Sequence, residues 1–178
     1  MLLTEFDDNR QAIINPEDLH EPLEVFPKIA VSCFSRMTFQ RMLDMFPHEL
    51  IYETSIANVA IPIYKLVIDE KELALFNAPV GASACVAILE DIFALGAEKL
   101  VLFGTCGVLD EDIKETSIII PSHALRDEGT SFHYVEASDE IAVNVGVLDR
   151  FRSYLNERQI SHKEGKVWTT DGIYRETS

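Results

Sequence analysis

Basic residues are scarce in this chain. Fifteen Lys and Arg stand against thirty Asp and Glu, a formal charge of −15. That excess excludes general binding to nucleic acid or to an anionic membrane surface, since both need a positive field. An anion such as phosphate has to be held locally, by single arginines and backbone N–H groups. Cysteine is scarce too. Cys33, Cys85 and Cys106 are widely spaced, form no CxxC pair, and make no zinc pattern with the five histidines. Reduced thiols in a cytoplasmic protein, with no metal, are the expectation. No apolar run reaches the roughly 18 residues of a membrane span. The opening Met-Leu-Leu-Thr-Glu-Phe-Asp-Asp has neither the basic nor the apolar stretch of a signal peptide.

What is present fits a globular domain. Of the 178 residues 47% are hydrophobic and 25% charged, enough for one real core and too few residues for two ordinary domains. Residues 1–27 are acidic and carry Pro16, Pro22 and Pro27, so they read as a surface-hugging lead-in with room for one short helix. The domain proper is expected over 28–178. Lys28–Phe34 reads as a buried strand. Arg36–Phe46 carries Phe39, Met42, Leu43 and Phe46 at helical spacing. Val59–Ile68 and Leu73–Asn77 read as strands about an Asp69-Glu70-Lys71 turn. Gly81–Leu95 is nearly apolar all round, a helix covered on most sides within the fold or at a subunit contact, with Gly96 as its C-cap. Lys99–Phe103 is a continuous apolar run, the pattern of a strand covered on both faces. Ser117–Ile120 is expected as a strand ended by Pro121. Val147, Leu148, Phe151, Tyr154 and Leu155 mark another amphipathic helix, and Lys166–Thr170 a last strand. This alternation predicts an α/β layered fold with a largely parallel sheet.

Three polar clusters stand at three expected strand ends, where α/β sheets bind ligands. Gly104-Thr105-Cys106-Gly107 lets backbone N–H groups approach an anion and adds a hydroxyl, although a tight turn needs glycine equally. Arg126–Tyr134 (RDEGTSFHY) packs a cation, two acids, hydroxyls, an imidazole and aromatics into nine residues, a mix that suits either a small polar ligand or a solvated loop. Thr169–Glu176 offers hydroxyls, the Asp171 carboxylate and Tyr174; Asp171 is equally a helix cap.

Phe103–Gly107 (FGTCG), Arg126–Tyr134 and Thr169–Thr177 (TTDGIYRET) also resemble, in order and spacing, successive motifs of the nucleoside phosphorylase family of purine nucleoside and uridine phosphorylases. The resemblance covers Lys28 to the last residue. It implies a three-layer α/β sandwich around a twisted mixed sheet. It implies cleavage of a nucleoside's N-glycosidic bond by phosphate, giving ribose 1-phosphate and free base, with phosphate as co-substrate and no other cofactor. It also implies a homo-oligomer built from dimers. Gly104 and Thr105 match the phosphate- and ribose-contacting turn, and Arg36 matches the arginine of the first loop. Thr105, Cys106, Gly107, Thr170, Asp171, Ile173 and Tyr174 fall at nucleoside-contacting positions, Ile173 where relatives often carry a stacking aromatic.

The chain also departs from the pattern. Ser32-Cys33-Phe34-Ser35-Arg36 stands where the family has a G-D-P-x-R turn. Leu102 and Val59 fall near positions where relatives have arginines, which leaves Arg126 as a candidate to compensate at the phosphate. The Met-Glu pair that grips the ribose in relatives occurs nowhere in the sequence. The resemblance therefore implies a chain that ends before the family's C-terminal portion, with little activity of its own. A hydrolytic nucleosidase and a degenerate nucleoside-binding paralogue stay open beside the phosphorylase. An unrelated Rossmann-like domain finds no support, because no G-x-G-x-x-G follows the first strand.

Overall fold

The computed structural model describes residues 5–113 and 118–175. The chain divides into two compact units: Asn9–Thr105, and Cys106–Ser178, which also takes in Met1–Asp8.

The first unit holds α1 (Pro16–Leu19), β1 (Ile29–Cys33), α2 (Arg36–Met45), β2 (His48–Ile56), β3 (Val59–Ile68), β4 (Lys71–Asn77), α3 (Ala82–Leu95) and β5 (Lys99–Phe103). Its sheet runs in the order β2-β3-β4-β1-β5. β1 pairs in parallel with β4 and β5, while β2–β3 and β3–β4 are antiparallel hairpins. Period-two alternation sends neighbouring residues to opposite faces. Ala74 and Phe76 join Ala30, Ile61 and Ile63 beneath Cys85, Ile88, Ile92 and Leu95 of α3. Leu75, Cys33 and Leu66 pack on the other face beneath Phe39 and Leu43 of α2. The sheet is thus sandwiched between one helix on each side. Ser35 caps α2, its Oγ accepting from Thr38 N–H at 3.2 Å. Gly96 ends α3 with φ of 127°, a conformation that favours glycine.

The lead-in is fastened to this unit. Leu23 N–H donates to Leu95 O at 3.0 Å, and the Phe26 ring is buried in the α3 core. His20 Nε2 lies 3.0 Å from Asp91 on α3, and its Nδ1 lies 3.1 Å from the Tyr52 hydroxyl. Thr54 donates to the other Asp91 oxygen at 2.6 Å.

The second unit holds β6 (Ile118–Asp127), a 3-10 turn at Thr130–His133, β7 (Glu140–Ala142), α4 (Val145–Glu157) and β8 (His162–Thr170). Its sheet runs β7-β6-β8, antiparallel then parallel. Asn144 caps α4, accepting from Val147 N–H at 3.1 Å. No helix among the described residues is long and apolar enough to cross a membrane.

The α/β architecture with mixed sheets agrees with expectation, and four particulars correct it. Parallel and antiparallel pairings are equal in number, so the sheets are mixed and not largely parallel. β5 is an edge strand, paired only with β1 among the described residues, and Val101 and Phe103 are 43% and 41% exposed, not covered on both faces. β6 does not stop at Pro121. The register shifts between Pro121 and His123, and this bulge absorbs the missing N–H so that pairing resumes to Asp127. The apolar stripe of α4 is largely open: only Leu155 is buried, while Phe151 and Tyr154 are exposed. Ser117, expected to begin β6, lies outside the described residues.

Candidate active site

In the first unit, the carboxyl ends of the three parallel strands are level. Cys33 is in register with Asn77 of β4 and with Phe103 of β5. The neighbours β1 and β4 are followed by helices on opposite faces, α2 and α3. Such a divergence opens a crevice at the strand ends, the usual ligand position in α/β sheets. The segments leading to α2 and α3 and the Gly104-Thr105 turn leave the sheet here. Asn77 Nδ2 donates to Cys33 O at 2.6 Å and so ties the β1 and β4 ends together. Ser32, where the family has glycine, is buried, and its Oγ donates to Phe76 O at 2.9 Å as a cross-strand link.

Arg36 opens α2 and is exposed, and Gly104 and Thr105 are exposed beside the end of β5. Gly104 is held close by Phe34: a Cβ built on it would stand 2.7 Å from the Phe34 ring. The Phe34 ring therefore covers one approach to the Gly104 backbone. Leu102 and Val59, at positions of expected arginines, are exposed apolar residues.

In the second unit, Asp127 at the end of β6 is level with Thr170 at the end of β8. Asp171 N–H donates to Asp127 O at 3.1 Å, and the Asp171 carboxylate accepts from Gly129 N–H at 3.1 Å. Trp168 Nε1–H donates to the Asp127 carboxylate at 3.1 Å. Thr170 Oγ1 accepts from Gly172 N–H at 3.0 Å. Ile173 and Tyr174 are exposed beyond this turn, and Cys106 and Gly107 are exposed at the start of the unit. Glu176 and Thr177 of the third motif lie outside the described residues.

Arg126 differs most from its expected placement. It lies on β6, not in a strand-end loop, and is only 7% exposed. Nε donates to Ser131 Oγ at 2.8 Å, Nη1 to Glu136 O at 2.7 Å and Ser138 Oγ at 2.8 Å, and Nη2 to Val135 O at 3.3 Å. One, two and one make four of a guanidinium's five N–H groups. Phe132 covers its face, with the ring centre 4.1 Å from Cζ. The sequence named Arg126 and Asp171 but carried no sign that their partners are loop backbone and hydroxyls. The Asp127–Trp168 pair went unnoticed because the two residues are distant in sequence.

A shallow cavity of about 420 Å³ lies elsewhere in the first unit, over the His20–Asp91–Thr54 cluster, and none of the motif residues lines it. Burial raises the thiols of Cys33 and Cys85 above their ordinary value, which keeps both protonated at neutral pH.

The Phosphorylase superfamily matches residues 28–178, and the chain belongs to that family. It is 31% identical over 83 residues to a DeoD-type purine nucleoside phosphorylase of Brevibacillus brevis, covering 46% of this chain and 35% of that protein. It is 25% identical over 109 residues to the uridine phosphorylase of Treponema pallidum, covering 61% and 42%. Its fold matches a crystal structure of uridine phosphorylase from Vibrio fischeri with a TM-score of 0.74 at 17% identity, covering 93% of this chain and 68% of that one. Purine nucleoside phosphorylase from Toxoplasma gondii in complex with immucillin-H matches with a TM-score of 0.72 at 16% identity, covering 85% and 60%. The matches thus span less than half the length of these two sequence relatives.

Proposed function

We propose that this chain carries the phosphate turn and base wall of an enzyme that cleaves the N-glycosidic bond of a purine or pyrimidine nucleoside. Phosphate attacks the anomeric carbon as the base leaves, giving ribose 1-phosphate and free base. One observation carries the reading: within a Phosphorylase superfamily chain, the three polar motifs span the carboxyl ends of β5, β6 and β8, each paired in parallel and ending level with its neighbour. Catalysis of this kind consists of holding two reactants in line and stabilising an oxocarbenium-like transition state. Arg36, Gly104 and Thr105 are the phosphate-side candidates. Thr105, Cys106, Gly107, Thr170, Asp171, Ile173 and Tyr174 are the nucleoside-side candidates. Residues 28–178 form the functional domain behind a lead-in of 1–27, working as a homo-oligomer in the cytoplasm with no cofactor beyond phosphate.

A second reading, water as the acceptor, is favoured by a specific pair of observations. Phe34 covers one approach to Gly104, and most Arg126 donors are already engaged.

The test is incubation with inosine or uridine, with and without phosphate, together with nucleoside titration of Trp168 fluorescence. This is the chain's single tryptophan. Nucleoside binding with phosphate-dependent release of base is expected. Free ribose formed equally without phosphate selects the hydrolytic reading. Neither binding nor cleavage of either nucleoside defeats both.

A further inference from the structure

Arg126 is a buried cation with no carboxylate within ion-pair distance among the described residues. Burying such a charge is costly unless every donor finds a partner. The partners here come almost entirely from one loop: Ser131, Val135, Glu136 and Ser138. Charge compensation reaches the guanidinium through a hydroxyl. Ser131 Oγ accepts from Arg126 Nε and donates to the Glu128 carboxylate, which also accepts Ser131 N–H at 2.9 Å. The same loop is held at its start from the other strand, where Asp171 accepts Gly129 N–H.

We propose that Arg126 and Asp171 form a two-point clamp on loop 128–138, so that Arg126 is a positioning residue and not a phosphate ligand. The guanidinium fixes the loop from beneath through the Arg126–Ser131–Glu128 relay. The Asp171 carboxylate pins the loop to the turn that leads into Ile173 and Tyr174. The clamp follows from the hydrogen bonds alone; its consequence for nucleoside binding rests on the function proposed above. Lysine cannot replace Arg126, because one ammonium cannot reach acceptors spread around a planar fork.

Hydrogen exchange without any ligand tests the clamp directly. Arg126→Lys and Asp171→Ala each speed exchange at the Gly129, Ser131, Tyr134 and Val135 amides by at least about tenfold, the scale of a lost hydrogen bond to a charged group. The amides of the β6–β8 ladder stay protected. Asp171→Asn keeps an acceptor oxygen and restores protection at Gly129. If Arg126→Lys fails to fold, Ser131→Ala removes the Nε acceptor together with the hydroxyl that donates to Glu128, and opens the same loop. Inosine titration of Trp168 fluorescence weakens in Arg126→Lys and Asp171→Ala and recovers in Asp171→Asn. Wild-type exchange throughout the loop in Arg126→Lys or Ser131→Ala overturns the clamp. So does an Arg126→Lys protein whose loop is unchanged while its thermal shift with inorganic phosphate disappears, since that makes Arg126 a phosphate ligand. Faster loop exchange in a protein whose wild type ignores inosine leaves the clamp standing and defeats the functional reading instead.

Discussion

At the scale of single residues, the contact between Phe34 and Gly104 is the most diagnostic. A methyl on Gly104 would stand 2.7 Å from a ring carbon that is itself packed against the α3 core, so the ring cannot simply swing away. Gly104→Ala is therefore expected to destabilise by about 1–3 kcal/mol, the range for overpacking. In a Phe34→Ala background the three nearest contacts of that methyl are gone, and its cost should largely vanish. Urea unfolding of the two single variants and the double variant measures this coupling. Additive losses would mean that the ring does not constrain Gly104. The cysteines offer an independent residue-scale check. Cys33 and Cys85 are buried with thiol pKa values raised by desolvation, whereas Cys106 is exposed. Iodoacetamide at neutral pH should label Cys106 alone in the folded protein, and peptide mass spectrometry should find the other two only after denaturation. Labelling of Cys33 at the Cys106 rate would contradict the packing of β1.

At the scale of elements, acid should loosen the second unit. The Glu140 carboxyl on β7 is held below its ordinary 4.5 chiefly by a hydrogen bond from Lys166 on β8. The Glu164 carboxyl on β8 is held down chiefly by the Arg152 guanidinium on α4. Both folded-state pKa values are depressed, so the stabilisation is fully present above the unfolded value near 4.5 and is lost as pH falls through the lower folded values. The urea midpoint read from Trp168 fluorescence should drop between about pH 5.5 and pH 3. Glu140→Gln and Glu164→Gln should flatten that drop. An unchanged midpoint across the window would show that these exposed pairs contribute nothing.

The same elements show how much the sequence disclosed. α2 was legible because its apolar residues recur at helical spacing against a buried face, and β1, β3, β4 and α3 because each is an apolar run bounded by polar or turn residues. β2 and β7 were not, since His48–Ile56 mixes polar and apolar residues on a mostly exposed hairpin and Glu140–Ala142 is three residues long. β5 misled because an apolar run reports what a strand can bury, not what covers it. β6 misled because Pro121 ends a strand only where no bulge takes up its missing N–H. For the candidate site, residue types and strand-end positions were readable. Arg126's actual partners were not, because four hydrogen bonds to a loop leave no periodic trace.

At the scale of the whole molecule, the charge of −15 competes with its own ion pairs. Among the described residues, the lysine and arginine pairs join Lys28 to Glu98, Lys65 to Glu49 and Glu72, Arg152 to Asp149 and Glu164, and Lys166 to Glu140. Each of them is at least partly open to solvent, and pairs of that kind are worth about 0–1 kcal/mol apiece. Screening removes that small gain but also relieves a repulsion summed over fifteen uncompensated charges, which is felt by every acidic group in the compact state. The repulsion should win. The melting temperature is expected to rise as sodium chloride goes from about 0.02 M to about 0.5 M, where the screening length shrinks from tens of ångströms to a few. Repeating the melt with guanidinium chloride at low matched ionic strength separates screening from denaturation, because only sodium chloride should give a monotonic rise. A melting temperature that falls with sodium chloride would place the net stabilisation in the surface pairs, and the acidic surface would then be arranged more favourably than its total charge implies.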